Sequence, residues 1–188
     1  LEIAETLGSP VSQASARMNC GDVGSFLALW PETERWGQEG VTIIREHHVA
    51  MMVEPFLLTF WAEALAARGD SERAQELCGE AIAKVQSFGM GPVEVRAHLG
   101  QARILLWSAA SRNAGAIEVA LHAAETLARE IDCANWLPWV YEERAALALA
   151  LGNEPQRLAA LAEARRLYDA IGASGHVERI DRELGPRV

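Results

Sequence analysis

The sequence predicts an all-α chain built from consecutive helix pairs, and three observations carry that prediction. Six of its seven prolines (Pro10, Pro31, Pro55, Pro92, Pro138 and Pro155) stand where a helix would open; proline lacks an N–H and presets φ, so it fits the first turn and little else within a helix. Glycines mark the other ends, at Gly8, Gly69, Gly89, Gly152 and Gly172. Between these marks apolar residues recur at i, i+3, i+4 and i+7, and alternation of useful strand length is absent.

The elements follow in order. Residues 1–7 read as the last turns of a helix stopped by Gly8, which suggests the tail of a preceding element. Pro10, with Ser9 as N-cap, opens a helix over 10–27 in which Gly21, Asp22 and Gly24 are potential breaks. Pro31 opens 31–46; its run Val41-Thr42-Ile43-Ile44 is β-prone, but the surrounding frame is helical and tertiary context overrides propensity. Pro55 opens 55–68, ended by Gly69. In 71–87 the stripe Ala74, Leu77, Cys78, Ala81, Ile82 and Val85 requires burial against a neighbour. Pro92 opens 92–109, and Ile117, Ala120, Leu121, Ala124, Leu127 and Ile131 stripe 114–131. Pro138 opens 138–151, and Asn153-Glu154-Pro155 caps and opens 155–171. Val177, Ile180 and Leu184 alternate with charges over 175–184, as a capping helix would. Pro186 lies in the tail. These helices group as pairs 10–46, 55–87, 92–131 and 138–171, with first helices opening 45, 37 and 46 residues apart. A single helical-repeat domain over 1–188 is the expectation.

Composition narrows the function. Roughly one residue in six is alanine, the best helix former. There are 17 basic and 26 acidic side chains, giving a net charge of -9 and a pI near 5.1. That balance disfavours nucleic acid and anionic membrane surfaces, which need a basic face. No apolar run approaches the ~18 residues of a membrane span. Cys20, Cys78 and Cys133 are scattered and odd in number, so neither a disulfide framework nor a zinc site is expected, and a reducing cytoplasm is the simplest compartment. Cys78 and Cys133 sit in helical patterns as expected buried thiols. Lys84 is the single lysine; the alanine and arginine bias suggests a GC-rich bacterial genome.

The stretch Glu54-Pro55-Phe56 through Trp61-Ala62-Glu63-Ala64-Leu65 to Gly69-Asp70 resembles the first helix and turn of a degenerate tetratricopeptide repeat. Ala74 and Ala81 match the small positions of its second helix. Leu99-Gly100 resembles the Leu-Gly of the next first helix, and Gly152-Asn153 with Ala164 resembles a last repeat. More narrowly, Gln38-Glu39-Gly40, the Pro55 helix and the ending Ala164 to Ala173 are similar to the C-terminal helical region of bacterial multidomain regulators. Such regulators combine a class III nucleotide cyclase or helix-turn-helix domain with a signal-transduction ATPase module. The resemblance implies a right-handed superhelical solenoid of antiparallel pairs. The sequence departs from the family in often lacking aromatics at its large positions and in an extra turn around Ser108–Asn113. No cyclase motif and no ATPase phosphate loop lies within it, so enzymatic activity, cofactors and metals are not expected.

His47-His48 are adjacent and cannot face one ligand, which favours a helix C-terminus. His98 and His122 have no evident sequence partner. Glu142-Glu143 diverge around a helix and read as a solvated face. Gly89-Met90-Gly91-Pro92 reads as a turn, lacking the spacing of a phosphate loop. Arg165, Arg166, Arg179, Arg182 and Arg187 interleave with acids and read as surface pairs. Of six tryptophans, Trp61 is expected in the core, whereas Trp30 and Trp36 carry no assignment. Trp107, Trp136 and Trp139 fall near helix ends, where Trp136 or Trp139 suits a pocket wall.

The expectation is a non-catalytic protein-interaction or signal-sensing module whose partner is a protein or another domain of its parent. The alternative is a small-molecule effector sensor, favoured if an enclosed apolar pocket exists rather than a flat polar groove. Arg96, Arg103, Trp136, Trp139 and Glu143 are the candidate surface, of which Arg96, Arg103, Trp139 and Glu143 are expected exposed along the first helices. Leu1, Ile3, Ala4 and Leu7 form an unpaired stripe that predicts a homodimer through the N-terminal face.

Overall fold

Ser9, Asp70 and Asn153 accept hydrogen bonds from the backbone N–H three residues ahead, so side-chain caps open three of the helices. The computed structural model describes residues 1–108 and 114–185. Its helices are α1 (Glu2–Thr6), α2 (Pro10–Phe26), α3 (Trp30–His47), α4 (Glu54–Ala67), α5 (Ser71–Phe88), α6 (Gly91–Trp107), α7 (Ala114–Glu130), α8 (Leu137–Ala150), α9 (Glu154–Ala170) and α10 (Ser174–Leu184). A 3₁₀ turn, Ala134–Trp136, leads into α8. No strand occurs among the described residues, and the β-prone Val41–Ile44 run lies inside α3. The fold is therefore all-α. The six prolines lie in first turns. His47 ends α3, and His48 is its left-handed cap. Gly89 takes φ +64 to end α5, a conformation that costs glycine little. Most of the predicted extra turn after Ser108, together with Pro186 and Arg187, lies outside the described residues.

The helix expected over 10–27 forms without interruption at its potential breaks. Gly21 and Gly24 stay helical because they are where neighbouring helices come closest. A Cβ at Gly21 would lie 2.9 Å from Phe60 Cδ2 on α4, and one at Gly24 would lie 2.9 Å from the Trp36 ring on α3. The lost helix propensity of glycine, about 1 kcal/mol each, is offset by close packing on two neighbours.

Within each pair the helices pack on one another: α2 on α3, α4 on α5, α6 on α7 and α8 on α9. The second helix of a pair also meets the first helix of the next. First helices touch in succession, α2 to α4, α4 to α6 and α6 to α8. Ala81, Leu77, Leu57, Leu58 and Ile44 fill one part of the core. Leu99, Ile117, Leu121 and Val140 fill the next, and Leu161, Ala164, Tyr168 and Ile180 the last. Trp61, expected in the core, is only half-buried at its edge, since α4 carries it toward Gly37, where a Cβ would lie 2.6 Å from the Trp61 Cβ. Cys78 is buried, and burial raises its thiol to about 12. Cys133 departs from expectation: it is half-buried in the α7–α8 connection, where its thiol donates to Asn135 Oδ1 at 3.2 Å.

The two ends differ. On α1 and its flanks Ala4 is buried, but Leu1, Ile3 and Leu7 are exposed at 38%, 77% and 69%. At the other end Ile180 is fully buried and α10 lies on α9. No described helix is long and apolar enough to cross a membrane.

Candidate functional site

Helix α4 is apolar and buried on nearly all sides, yet it carries Glu63 with no exposed surface. A lone ionised carboxylate in such surroundings needs a cation close by. Arg96 on α6 supplies it bidentately, Nη1 to Oε1 at 2.7 Å and Nη2 to Oε2 at 2.8 Å. Ser25 on α2 donates its hydroxyl to Oε2 at 2.5 Å. Arg103 lies seven residues, two helical turns, beyond Arg96 on the same face of α6. It reaches Glu63 Oε1 at 3.4 Å and donates twice to Glu143 Oε1 on α8, at 2.8 and 2.6 Å. One network thus ties α2, α4, α6 and α8 together. Burial alone would raise the Glu63 carboxyl, but Arg96 and Arg103 overcome it and hold the group at about 2. Burial likewise opposes the charge on Arg103, while Glu143 and Glu63 outweigh it and raise its pKa.

Local sequence positions these groups. Gly100 leaves the space the network occupies: a Cβ there would stand 2.7 Å from Thr59 Cγ2 and 3.3 Å from both Arg96 Nη1 and Glu63 Oε1. The Phe60 ring backs the Arg96 guanidinium, 5.1 Å from its centroid, and Trp107 lies 6.0 Å from that of Arg103.

Beside the network is a cavity of about 340 Å³. Its walls come from the end of α2 (Asp22, Val23, Ser25, Phe26, Leu27), from α6 (Arg96, Leu99, Arg103) and from the start of α8 (Trp136, Trp139). Asp22 and Phe26 are one turn apart and share a face of α2. Two of the wall residues, Phe26 and Trp139, belong to a cluster of stacked and edge-on rings. Phe26 meets Trp139 at 6.3 Å and His176 of α10 at 6.2 Å between centroids. Trp139 meets Tyr168 at 5.9 Å, and Tyr168 stacks on His176 at 4.4 Å. Phe26 of the first pair therefore touches residues of the last pair and of α10. Burial, with Glu142 beside it, raises the Tyr168 hydroxyl above its ordinary value. A second ring contact joins Trp30 of α3 to Trp107 of α6 at 5.2 Å between centroids.

Of the residues singled out in sequence, Arg96, Arg103, Trp136 and Trp139 line this one cavity, and Glu143 holds Arg103 behind it. Four were expected exposed and none is: Arg96 and Glu143 are buried at 7% and 9%, because each faces an opposite charge on an adjacent first helix, and Arg103 and Trp139 are half-buried in the cavity wall. Glu142-Glu143 is accordingly no solvated face, since Glu142 pairs with Arg179 and Glu143 with Arg103. Arg165 and Arg166 pair with Asp181 and Glu163, and Arg182 donates to the Glu178 carbonyl. His98, for which no partner was expected, has one four residues back on its own helix, Glu94 Oε1 at 3.7 Å. His122 is exposed on α7 in an open depression with Glu118 and Arg144, apart from His98. No cluster of metal-ligating side chains occurs among the described residues.

Sequence reasoning missed Glu63, Ser25, Asp22, Phe26, Tyr168 and His176. Glu63 had a usable signal: it is the one charged residue between Pro55 and Ala67. The others meet through segments up to 150 residues apart, for which no local signal exists. No family model matches the chain, nor does any curated protein.

Proposed function

We propose that this chain is a non-catalytic, signal-sensing helical-repeat module that binds a small organic effector in the cavity between α2, α6 and α8. The observation that carries the proposal is the cavity itself. At about 340 Å³ it lies within the range of small-molecule sites, and aromatic and aliphatic side chains dominate its walls, with a few convergent polar groups. A flat polar groove would have favoured a protein ligand; here Phe26 of α2 and Trp139 of α8 meet edge-on, joining two walls of the cavity. The succession of first-helix contacts supports a tetratricopeptide-like solenoid with these helices inside. In such an array an effector touching the first, third and fourth pairs would alter the curvature of the whole. This fits the resemblance to the C-terminal regions of bacterial regulators, where the module would report to an attached ATPase or cyclase in the cytoplasm.

Ligand-observed NMR with a neutral single-ring probe, benzyl alcohol, tests the reading. Saturable binding is expected, and Val23→Trp should abolish it, because Val23 is 55% exposed and fills the mouth when enlarged without disturbing the core. No saturable binding, or binding indifferent to Val23→Trp, would contradict it.

A second reading, a symmetric pair of chains, rests on the exposed Leu1, Ile3 and Leu7. Light scattering across a dilution series should then show a dimer that Ile3→Arg with Leu7→Arg dissociates; a monomer at every concentration removes it.

A further inference from the structure

We infer that the cavity selects an organic cation with an apolar or aromatic body; this rests on the effector-binding reading above and specifies its ligand. The two arginines in the wall invite the opposite choice, an anion. Their charges, however, are already met. Arg96 is held bidentately by Glu63, and Arg103 donates twice to Glu143 while touching Glu63. Glu63 stays ionised in place, so an anionic ligand would have to displace a buried carboxylate from a geometry it already satisfies.

The remaining charge in the wall is Asp22. It is exposed, lines the same cavity, and has no ion-pair partner among the described residues. Counting the carboxylates behind the arginines, the site holds two guanidiniums against three carboxylates. An acceptor of positive charge therefore stands at the mouth, one helical turn from Phe26.

The ring faces agree with this sign. Phe60 and Trp107 already carry Arg96 and Arg103. Trp136 is in the cavity wall, and among the described residues it enters no ring or cation pair. Its indole face is negative in potential and is the best of the aromatic surfaces for a cation. A ligand with its charged nitrogen between Asp22 and Trp136, and its apolar body against Leu99 and Phe26, uses each of these features at once. The chain's net charge of -9 favours the approach of such a ligand from solution.

Calorimetric titration of the whole chain with three probes of similar size tests the inference: benzyltrimethylammonium, benzyl alcohol and phenylacetate. The cation should bind about tenfold more tightly than the alcohol, a ratio within reach of one ion pair plus one ring face. Asp22→Asn should erase the preference while leaving the alcohol bound as before, and Asp22→Glu should restore it. Asp22 is on the surface, so circular dichroism of each variant should match the parent. Equal or tighter binding of the alcohol or of phenylacetate would overturn the charge selection and leave the effector reading standing. Failure of all three probes to bind would overturn both.

Discussion

Two carboxylates in this molecule are pulled down to the same value by different surroundings. Glu63 lies fully buried on α4 and Glu125 half-buried on α7, and both are held at about 2. In both, burial opposes the charge and arginines overcome it. Glu125 is held by Arg129, Arg144 and the Tyr141 hydroxyl, at 2.6, 2.7 and 3.1 Å. The difference is what happens when a partner is lost. The Arg129 side chain is 55% exposed and returns to water, whereas that of Arg96 is 9% exposed and has no water to return to. A salt bridge on the surface is replaceable by solvent; one among four packed helices is a condition for the helices to meet as they do.

Removing the buried carboxylate should give the largest effect. Glu63→Gln leaves Arg96 buried without its counter-charge and should cost about 3–5 kcal/mol, read as a lower denaturant midpoint. The same change at Glu125 should cost less, because the 55% exposed Arg129 side chain returns to water. Equal losses would erase the distinction.

Crowding the buried network without removing charge should come next. Gly100→Ala places a Cβ among Thr59, Arg96 and Glu63 and should cost about 1–3 kcal/mol. A neutral result would show that the first helices α4 and α6 separate freely.

Acid should probe both sites with one sign. Each carboxyl is lower in the folded state than its ordinary 4.5. Its stabilisation is complete above 4.5 and is lost as pH falls from there to about 2. Denaturation followed over that window should show Glu63→Gln and Glu125→Gln each flattening the acid limb. In 1 M salt the contribution of Glu125 should shrink and that of Glu63 persist, because screening acts on exposed charges.

The smallest effect belongs to the outermost pairs. Arg166 is 64% exposed beside Glu163, and Arg166→Ala should leave the denaturant midpoint unchanged.

This contrast also explains what could be read in the sequence. Helix positions were legible because their signals are local: Pro10, Pro92 and Pro155 open helices wherever they stand, and Gly69 and Gly89 close them. The conflict at Gly21 and Gly24 was not resolvable locally, since what keeps α2 helical there is Phe60 and Trp36 on other helices. Arg103 and Trp139 stood out by residue type and place in the first helices, so part of the cavity wall was visible. Its burial was not. Glu142-Glu143 and Arg165-Arg166 have the same appearance in a sequence, and only the packing of α6 against α8 places Glu143 inside while Arg166 remains in water. His176 and Phe26 meet across 150 residues, beyond any periodicity.

The account finally turns on whether the space between Phe26, Trp136 and Trp139 is a ligand site. A crystal structure of the chain soaked with benzyltrimethylammonium resolves it. The account places the ring against Leu99 and Phe26 and the nitrogen between Asp22 and the Trp136 indole, with the Glu63–Arg96 pair unchanged. A probe seated elsewhere, or a cavity closed by Arg103 swinging away from Glu143 to fill it, would contradict the account.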